Sequence, residues 1–115
     1  MGFLFVGEER SARAIEMDVR WEDGALAAKQ LFDALNVHGI DPAAQKFTNL
    51  FERGGLKAIR EHVGVVVGMG SKVQKELKKR NIEHVALVHP AARGKIRKKE
   101  RYAAHVGEQL LPHVL

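Results

Sequence analysis

The sequence predicts an α/β fold, a three-layer α/β/α sandwich built on a four-stranded, mainly parallel central sheet. Four short apolar runs carry the β-branched and aromatic residues typical of buried strands, and helical patterns separate them along the chain. Such alternation favours parallel strands joined by right-handed crossovers, with helices covering both faces of the sheet. The length fits one domain, which we expect to span residues 1–115.

The first half of the chain predicts a strand, a helix and a second strand. Residues 3–6 are short and apolar, as a buried strand should be. Residues 24–36 place apolar side chains three and four positions apart, which predicts an amphipathic helix with Asp23 as its N-cap. Residues 47–51 form a strand-like run that contains Asn49. The helix would therefore cross over one face of the sheet between two strands.

The second half of the chain predicts two further strands and three helices. Residues 55–62 fit a modest helix, and residues 63–69 are too apolar for a surface strand, so this strand should be buried on both faces. Residues 71–80 predict a helix with lysines on its outer side. Residues 85–88 are the fourth strand, and residues 96–111 are the closing helix.

Composition excludes several classes of protein. The chain has no cysteine, so disulfides, thiolate metal sites and thiol nucleophiles are excluded. No apolar run approaches the roughly 20 residues that span a bilayer, and no basic segment precedes the first apolar run, so we expect a soluble, cytoplasmic protein without a membrane partner. The net charge is +5, and residues 93–101 hold much of the excess. This run favours a polyanionic partner, although a solvated helix start explains it equally well.

A polar signature follows each predicted strand. The four signatures are Gly7-Glu8-Glu9-Arg10-Ser11, Asn49, Gly68-Met69-Gly70-Ser71 and His89-Pro90-Ala91-Ala92-Arg93-Gly94. Because ligands bind beyond the carboxyl ends of the strands in open α/β sheets, we expect the four signatures to meet at one site. Glu8 and Glu9 would repel a phosphate, which argues against a dinucleotide site or a P-loop. These carboxylates suit general-base or water-positioning work, or else they are exposed helix-start residues stabilised by the helix dipole.

The signatures, taken in this order, resemble those of the uracil-DNA glycosylase superfamily. Members carry a first motif such as Gly-Gln-Asp-Pro-Tyr or Gly-Glu-Ala-Pro-Gly after strand one, and a second motif, His-Pro-Ser-Pro, near the carboxyl end. Residues 7–11 and 89–93 occupy the corresponding places. Asn49 resembles the asparagine that reads the base, and Ser71 resembles the serine that grips a DNA phosphate. Trp21 lies fourteen residues after the motif glycine, where thermostable members place the aromatic residue that stacks on the flipped base.

The resemblance implies a DNA repair enzyme that flips uracil out of DNA and hydrolyses its N-glycosidic bond, leaving an abasic site. It implies catalytic roles for Glu9, which would position or activate water, and for His89, which would donate a hydrogen bond to uracil O2. Asn49 would accept from uracil N3 and donate to O4, whereas cytosine presents the opposite pattern. Trp21 would stack on the base, and Glu8 would contribute backbone and supporting contacts.

The resemblance also implies a set of DNA contacts. Phosphate contacts are expected from Ser71 and Lys72, after the third strand. Arg93 is expected to enter the duplex or the minor groove, with Ile96 as a second candidate for a wedge that fills the vacated stack. Further phosphate contacts are expected from Lys95, Arg97 and Lys98. The implied partner is uracil-containing DNA, single- or double-stranded, bound by a monomer.

The chain departs from the family motifs in ways that leave alternatives open. Arg10 replaces the proline of the first motif, and Ala91 and Ala92 replace the serine and second proline of the second motif. The cysteines that hold an iron–sulfur cluster in thermostable members are absent, so no metal or other cofactor is expected. A non-catalytic nucleic-acid-binding protein with the same fold is one alternative. An α/β enzyme acting on free nucleosides is another, although such a substrate would not require the basic run at 93–101.

Overall fold

A parallel four-stranded sheet organises the fold. The computed structural model describes residues 2–114, and its sheet has the strand order β2-β1-β3-β4 with every neighbouring pair parallel. The strands are β1 (Gly2–Gly7), β2 (Lys46–Asn49), β3 (Gly64–Met69) and β4 (Val85–Leu87). The five α-helices of this part of the chain are α1 (Ala12–Met17), α2 (Ala27–Val37), α3 (Gly55–Glu61), α4 (Ser71–Lys79) and α5 (Lys99–Leu110). The predicted α/β sandwich on a four-stranded sheet is confirmed.

The central strand β1 supplies both hydrophobic cores. Phe3 and Phe5 belong to the core beneath α2 and α5, whereas Leu4 and Val6 belong to the core beneath α3 and α4. Successive side chains of a strand point to opposite faces of the sheet. A strand that is apolar at every position must therefore be covered on both faces, which is why helices form two outer layers.

Helix α2 begins later than the sequence predicts. Asp23 is not its N-cap, because Asp23 ends a 3-10 turn (Trp21–Asp23) and its carboxylate accepts a hydrogen bond from the Arg20 N–H at 2.7 Å. Gly24 then turns the chain at a φ of 65°. Leu26 precedes α2 with a φ of 54°, a value that non-glycine residues adopt at a cost of about 1–3 kcal/mol. The turn moves the helix start from residue 24 to Ala27.

Three other local features differ from the elements that the sequence predicts. The closing helix is split, since Lys95–Arg97 forms a 3-10 turn and the extended backbone of Lys98 separates it from α5. Helix α1 was not predicted, although Ser11 is its N-cap and accepts a hydrogen bond from the Ala14 N–H at 3.1 Å. Val63 lies outside β3 and is exposed, so the strand buried on both faces is shorter than residues 63–69.

Burial predicts different responses to the same substitution on the neighbouring helices α2 and α5. Val106 in α5 is fully buried, and Val106→Ala should lower the free energy of unfolding by about 2 kcal/mol, because two methyl groups leave a cavity. Val37 in α2 is 62% exposed, and Val37→Ala should change it by less than about 0.5 kcal/mol. Urea unfolding measures both values. Equal losses would contradict the core described for α2 and α5.

Candidate active site

The carboxyl ends of the strands border a cavity of about 600 Å³. Its lining includes the five predicted catalytic and base-binding residues Glu8, Glu9, Trp21, Asn49 and His89. Four segments deliver them: the loop after β1, the 3-10 turn before α2, the last residue of β2 and the loop after β4. Small apolar side chains of α1 and of the start of α2 form part of the remaining wall, which also includes Arg10, Arg13 and Arg20. Residues from three of the four predicted signatures therefore meet at one concave surface, whereas no residue of the signature after β3, Gly68-Met69-Gly70-Ser71, lines it.

Asn49 is the buried polar residue at the centre of this surface. It is 8% exposed, its Oδ1 accepts a hydrogen bond from Trp21 Nε1 at 2.8 Å, and its Nδ2 donates to Glu52 at 3.3 Å. An indole N–H can only donate and a carboxylate can only accept, so both neighbours select the same orientation of the amide. One lone pair on Oδ1 and one proton on Nδ2 remain for a ligand.

Two glycines make room for Asn49. A Cβ atom at Gly7 would lie 2.7 Å from Asn49 Oδ1 and 2.8 Å from Trp21 Cζ2, far inside normal contact distances. A Cβ atom at Gly55 would overlap the Asn49 carbonyl group. Gly7 was expected only as part of the first motif, and Gly55 was not predicted to have a role. Both positions require glycine because the backbone approaches Asn49 so closely.

His89 presents a neutral imidazole with a defined tautomer. Its Nδ1 accepts a hydrogen bond from the Ala91 N–H at 3.0 Å, so the single proton of the neutral ring belongs to Nε2. Burial lowers the pKa of His89 from its ordinary value of 6.5, and the Glu8 carboxylate opposes this effect more weakly. The ring also meets Trp21 edge-on, with 6.0 Å between ring centroids. The outcome is an uncharged N–H donor at the wall of the cavity.

Helix α5 fixes the end of β4, directly before His89. Tyr102 Oη donates to the Val88 carbonyl oxygen at 2.8 Å, and the Val88 N–H donates to His105 Nε2 at 3.0 Å. Burial raises the pKa of Tyr102 and lowers that of His105, so both groups stay neutral. This pair was not predicted. The sequence does place Tyr102 and His105 three positions apart, a spacing that puts both side chains on one face of α5.

The two acidic residues of the first motif differ in their surroundings. Glu8 Oε1 lies 3.5 Å from Lys72 Nζ, and the same ammonium group lies 5.3 Å from the ring centroid of Phe51. Glu9 is exposed and lines the cavity, and within residues 2–114 it has no ion-pair partner. A carboxylate without a cationic partner is better suited to accept a proton from water.

Of the predicted DNA contacts, Arg93, Arg97 and Lys72 lie beside the cavity, Lys72 through its ion pair with Glu8. Arg93 and Arg97 line a groove of about 500 Å³ that shares Leu26 and Ala91 with the cavity. The other exposed polar members of the predicted set are Ser71, Lys72, Lys95 and Lys98. Ile96 is half-buried and packs against the core beneath α5, so its burial disfavours a role as a wedge.

Glu52 is a polar residue of the site that the sequence analysis missed. Its Oε2 accepts hydrogen bonds from Asn49 Nδ2 and from the backbone N–H of Arg10. It therefore joins the second strand end to the first motif. The only signal in the sequence was a carboxylate three residues after a strand-terminal asparagine, a spacing that has no defined meaning outside a helix.

Comparisons with known proteins provide no further guide to this site. No protein-family model, curated protein or solved structure matches the chain. Within residues 2–114, no helix is long and apolar enough to cross a membrane, and no cluster of three or more His, Cys, Asp or Glu side chains could hold a metal ion. Any functional conclusion must therefore come from the chemistry of the cavity.

The partly buried histidines His89 and His105 predict a loss of stability in acid. The pKa values of His89 and His105 are lowered from 6.5, so below that pH the unfolded rings take up protons before the folded ones do. The free energy of unfolding should therefore fall as the pH drops from about 7 to about 5. NMR titration should give midpoints below 6.5 for both rings, and midpoints at or above that value would contradict the described burial. His105→Gln, which can still accept from the Val88 N–H, should reduce the pH dependence.

Proposed function

We propose that the protein is a DNA glycosylase that removes uracil and leaves an abasic site. One observation carries the proposal: an oriented amide, an aromatic ring, a neutral imidazole donor and a free carboxylate all border one cavity at the carboxyl ends of the strands. Each of these groups matches one requirement of base excision. A flipped base needs a stacking surface and a reader of its edge, and its departure needs a hydrogen-bond donor and a positioned water.

Base recognition in the proposal depends on Asn49 and Trp21. Uracil presents an N3–H donor beside an O4 acceptor, which matches the free lone pair and the free proton of the Asn49 amide. Trp21 lines the cavity and would provide the stacking surface. Its indole N–H is already used by Asn49, so stacking and edge recognition would come from one connected pair.

The chemical step in the proposal depends on His89 and Glu9. The N-glycosidic bond breaks and its electron pair leaves with the base, so negative charge grows on uracil O2. The His89 Nε2–H would stabilise that charge in the transition state. Glu9 would accept a proton from a water whose oxygen bonds to the sugar carbon, and the departing uracil anion would take its proton from solvent.

Excision assays should separate the proposed catalytic groups from matched surface residues. Each variant is incubated with a uracil-containing oligonucleotide, and alkali then cleaves the strand at any abasic site. His89→Ala and Asn49→Ala should each lower the single-turnover rate of excision by a factor of about 10²–10³, because each removes a transition-state contact. Asn36→Ala and His113→Ala change exposed residues outside the cavity and should keep the wild-type rate.

Two outcomes would contradict the proposal. Folded wild-type protein that yields no strand cleavage at low salt would exclude uracil excision from DNA, and binding of the same oligonucleotide would then favour a non-catalytic nucleic-acid-binding protein. Near-normal rates for both His89→Ala and Asn49→Ala would show that the catalytic site lies elsewhere. Circular dichroism of each variant checks that the fold is retained.

Binding to DNA should depend on salt through the basic run at residues 93–98, of which Arg93 and Arg97 line the groove beside the cavity. Lys98 is exposed at the start of α5, and Lys98→Ala should lower the slope of log K against log salt by about 1 if it contacts a phosphate. Lys46 is exposed at the first residue of β2, at the opposite end of the strands, so Lys46→Ala should leave the slope unchanged. Fluorescence anisotropy at several salt concentrations measures both slopes. Equal slopes for the two variants would contradict a phosphate contact by Lys98.

A further inference from the structure

We propose that Glu52 is a positioning residue that sets the base specificity of the cavity by locking the Asn49 amide. The inference rests on the proposed role of Asn49 in reading a base. It extends that role, because an amide by itself does not discriminate. A free Asn side chain can rotate by half a turn and exchange its donor and acceptor, and it would then fit cytosine as well as uracil.

Two hydrogen bonds prevent this rotation. Trp21 Nε1 donates to Asn49 Oδ1 at 2.8 Å, and Asn49 Nδ2 donates to the Glu52 carboxylate at 3.3 Å. After rotation the Asn49 amino group would face the indole N–H, and the amide oxygen would face the carboxylate. Two donors and two acceptors would then oppose each other at a residue that is 8% exposed, where water cannot relieve the mismatch.

The position of Glu52 is fixed by the backbone around it. The Leu50 N–H donates to the Gly7 carbonyl at 2.8 Å and the Phe51 N–H donates to the Glu8 carbonyl at 2.9 Å, so the chain after β2 continues alongside the first motif. Glu52 also accepts from the Arg10 N–H. The carboxylate is therefore anchored to the same loop that carries Glu9, and it cannot follow a rotating amide.

The lock defines a substrate class. The free acceptor and donor of Asn49 match a ring N–H beside a carbonyl group, the lactam edge of uracil. They oppose the ring nitrogen acceptor beside an amino group, the edge of cytosine and adenine. Thymine also has a lactam edge, so the lock does not distinguish it from uracil.

Binding of uncleavable DNA tests the lock without any chemical step. Matched oligonucleotides would carry 2′-fluoro-deoxyuridine or 2′-fluoro-deoxycytidine, since the fluorine destabilises the cationic transition state and blocks excision. Wild-type protein should prefer the uridine oligonucleotide by at least about tenfold, the value of one well-formed hydrogen bond in a buried site. Glu52→Met keeps the length of the side chain and removes its acceptor, so the preference should fall to about threefold or less, because only the Trp21 indole N–H then holds the amide.

A conservative variant and a distant control make the result specific. Glu52→Gln can keep an oxygen in the place of Oε2, so its preference should stay within about threefold of wild type. Glu83 is exposed between α4 and β4, and Glu83→Met should leave the preference unchanged. Thermal unfolding of each variant verifies that the fold persists. A general structural role for Glu52 would weaken binding of both oligonucleotides equally and would leave their ratio intact.

The outcomes separate this inference from the proposed function. A wild-type preference that Glu52→Met lowers to about threefold or less and Glu52→Gln retains supports the lock, even if the protein excises nothing. Equal binding of the two oligonucleotides by wild type, or a wild-type preference that is unchanged in Glu52→Met, overturns the lock even if uracil is excised.

Discussion

The hydrogen bond between the Trp21 indole and the Asn49 amide, made directly over Gly7, is the interaction on which the candidate site depends. It joins the 3-10 turn before α2 to the end of β2, and no side chain at residue 7 could fit beneath it. It also brings Trp21 against His89 from the fourth strand end. Trp21 thus contacts two other predicted site residues, Asn49 through the hydrogen bond and His89 through the ring edge.

The fold explains why these groups can meet. In a parallel sheet all carboxyl ends lie at one edge, and the order β2-β1-β3-β4 puts β1 and β3 in the middle. The apolar runs at β1 and β3 and their two-sided burial could be read from the sequence because every position in them is apolar or glycine. The same logic predicted that the polar residues after the strands would converge.

Other features could not be read from the sequence, for physical reasons. Asp23 is a residue type that favours the N-cap position, but its carboxylate instead accepts a hydrogen bond from Arg20 within the 3-10 turn. Leu26, with a strained backbone, occupies the N-cap position of α2. Ile96 lies within a basic run that suggested an exposed wedge, yet its apolar side chain is half-buried against the core. Glu52 accepts a hydrogen bond from the backbone N–H of Arg10, forty-two positions away in the sequence, and no local pattern encodes such a contact.

The central claim is that the strand-end cavity binds a base with a lactam edge. Trp21 is the only tryptophan, so the protein gives one indole N–H resonance, and that proton belongs to the hydrogen bond with Asn49. Titration with an oligonucleotide carrying 2′-fluoro-deoxyuridine should shift this resonance, whereas the cytidine oligonucleotide should leave it nearly unchanged at the same concentration. An indole resonance that does not move on saturation with the uridine oligonucleotide would contradict the account.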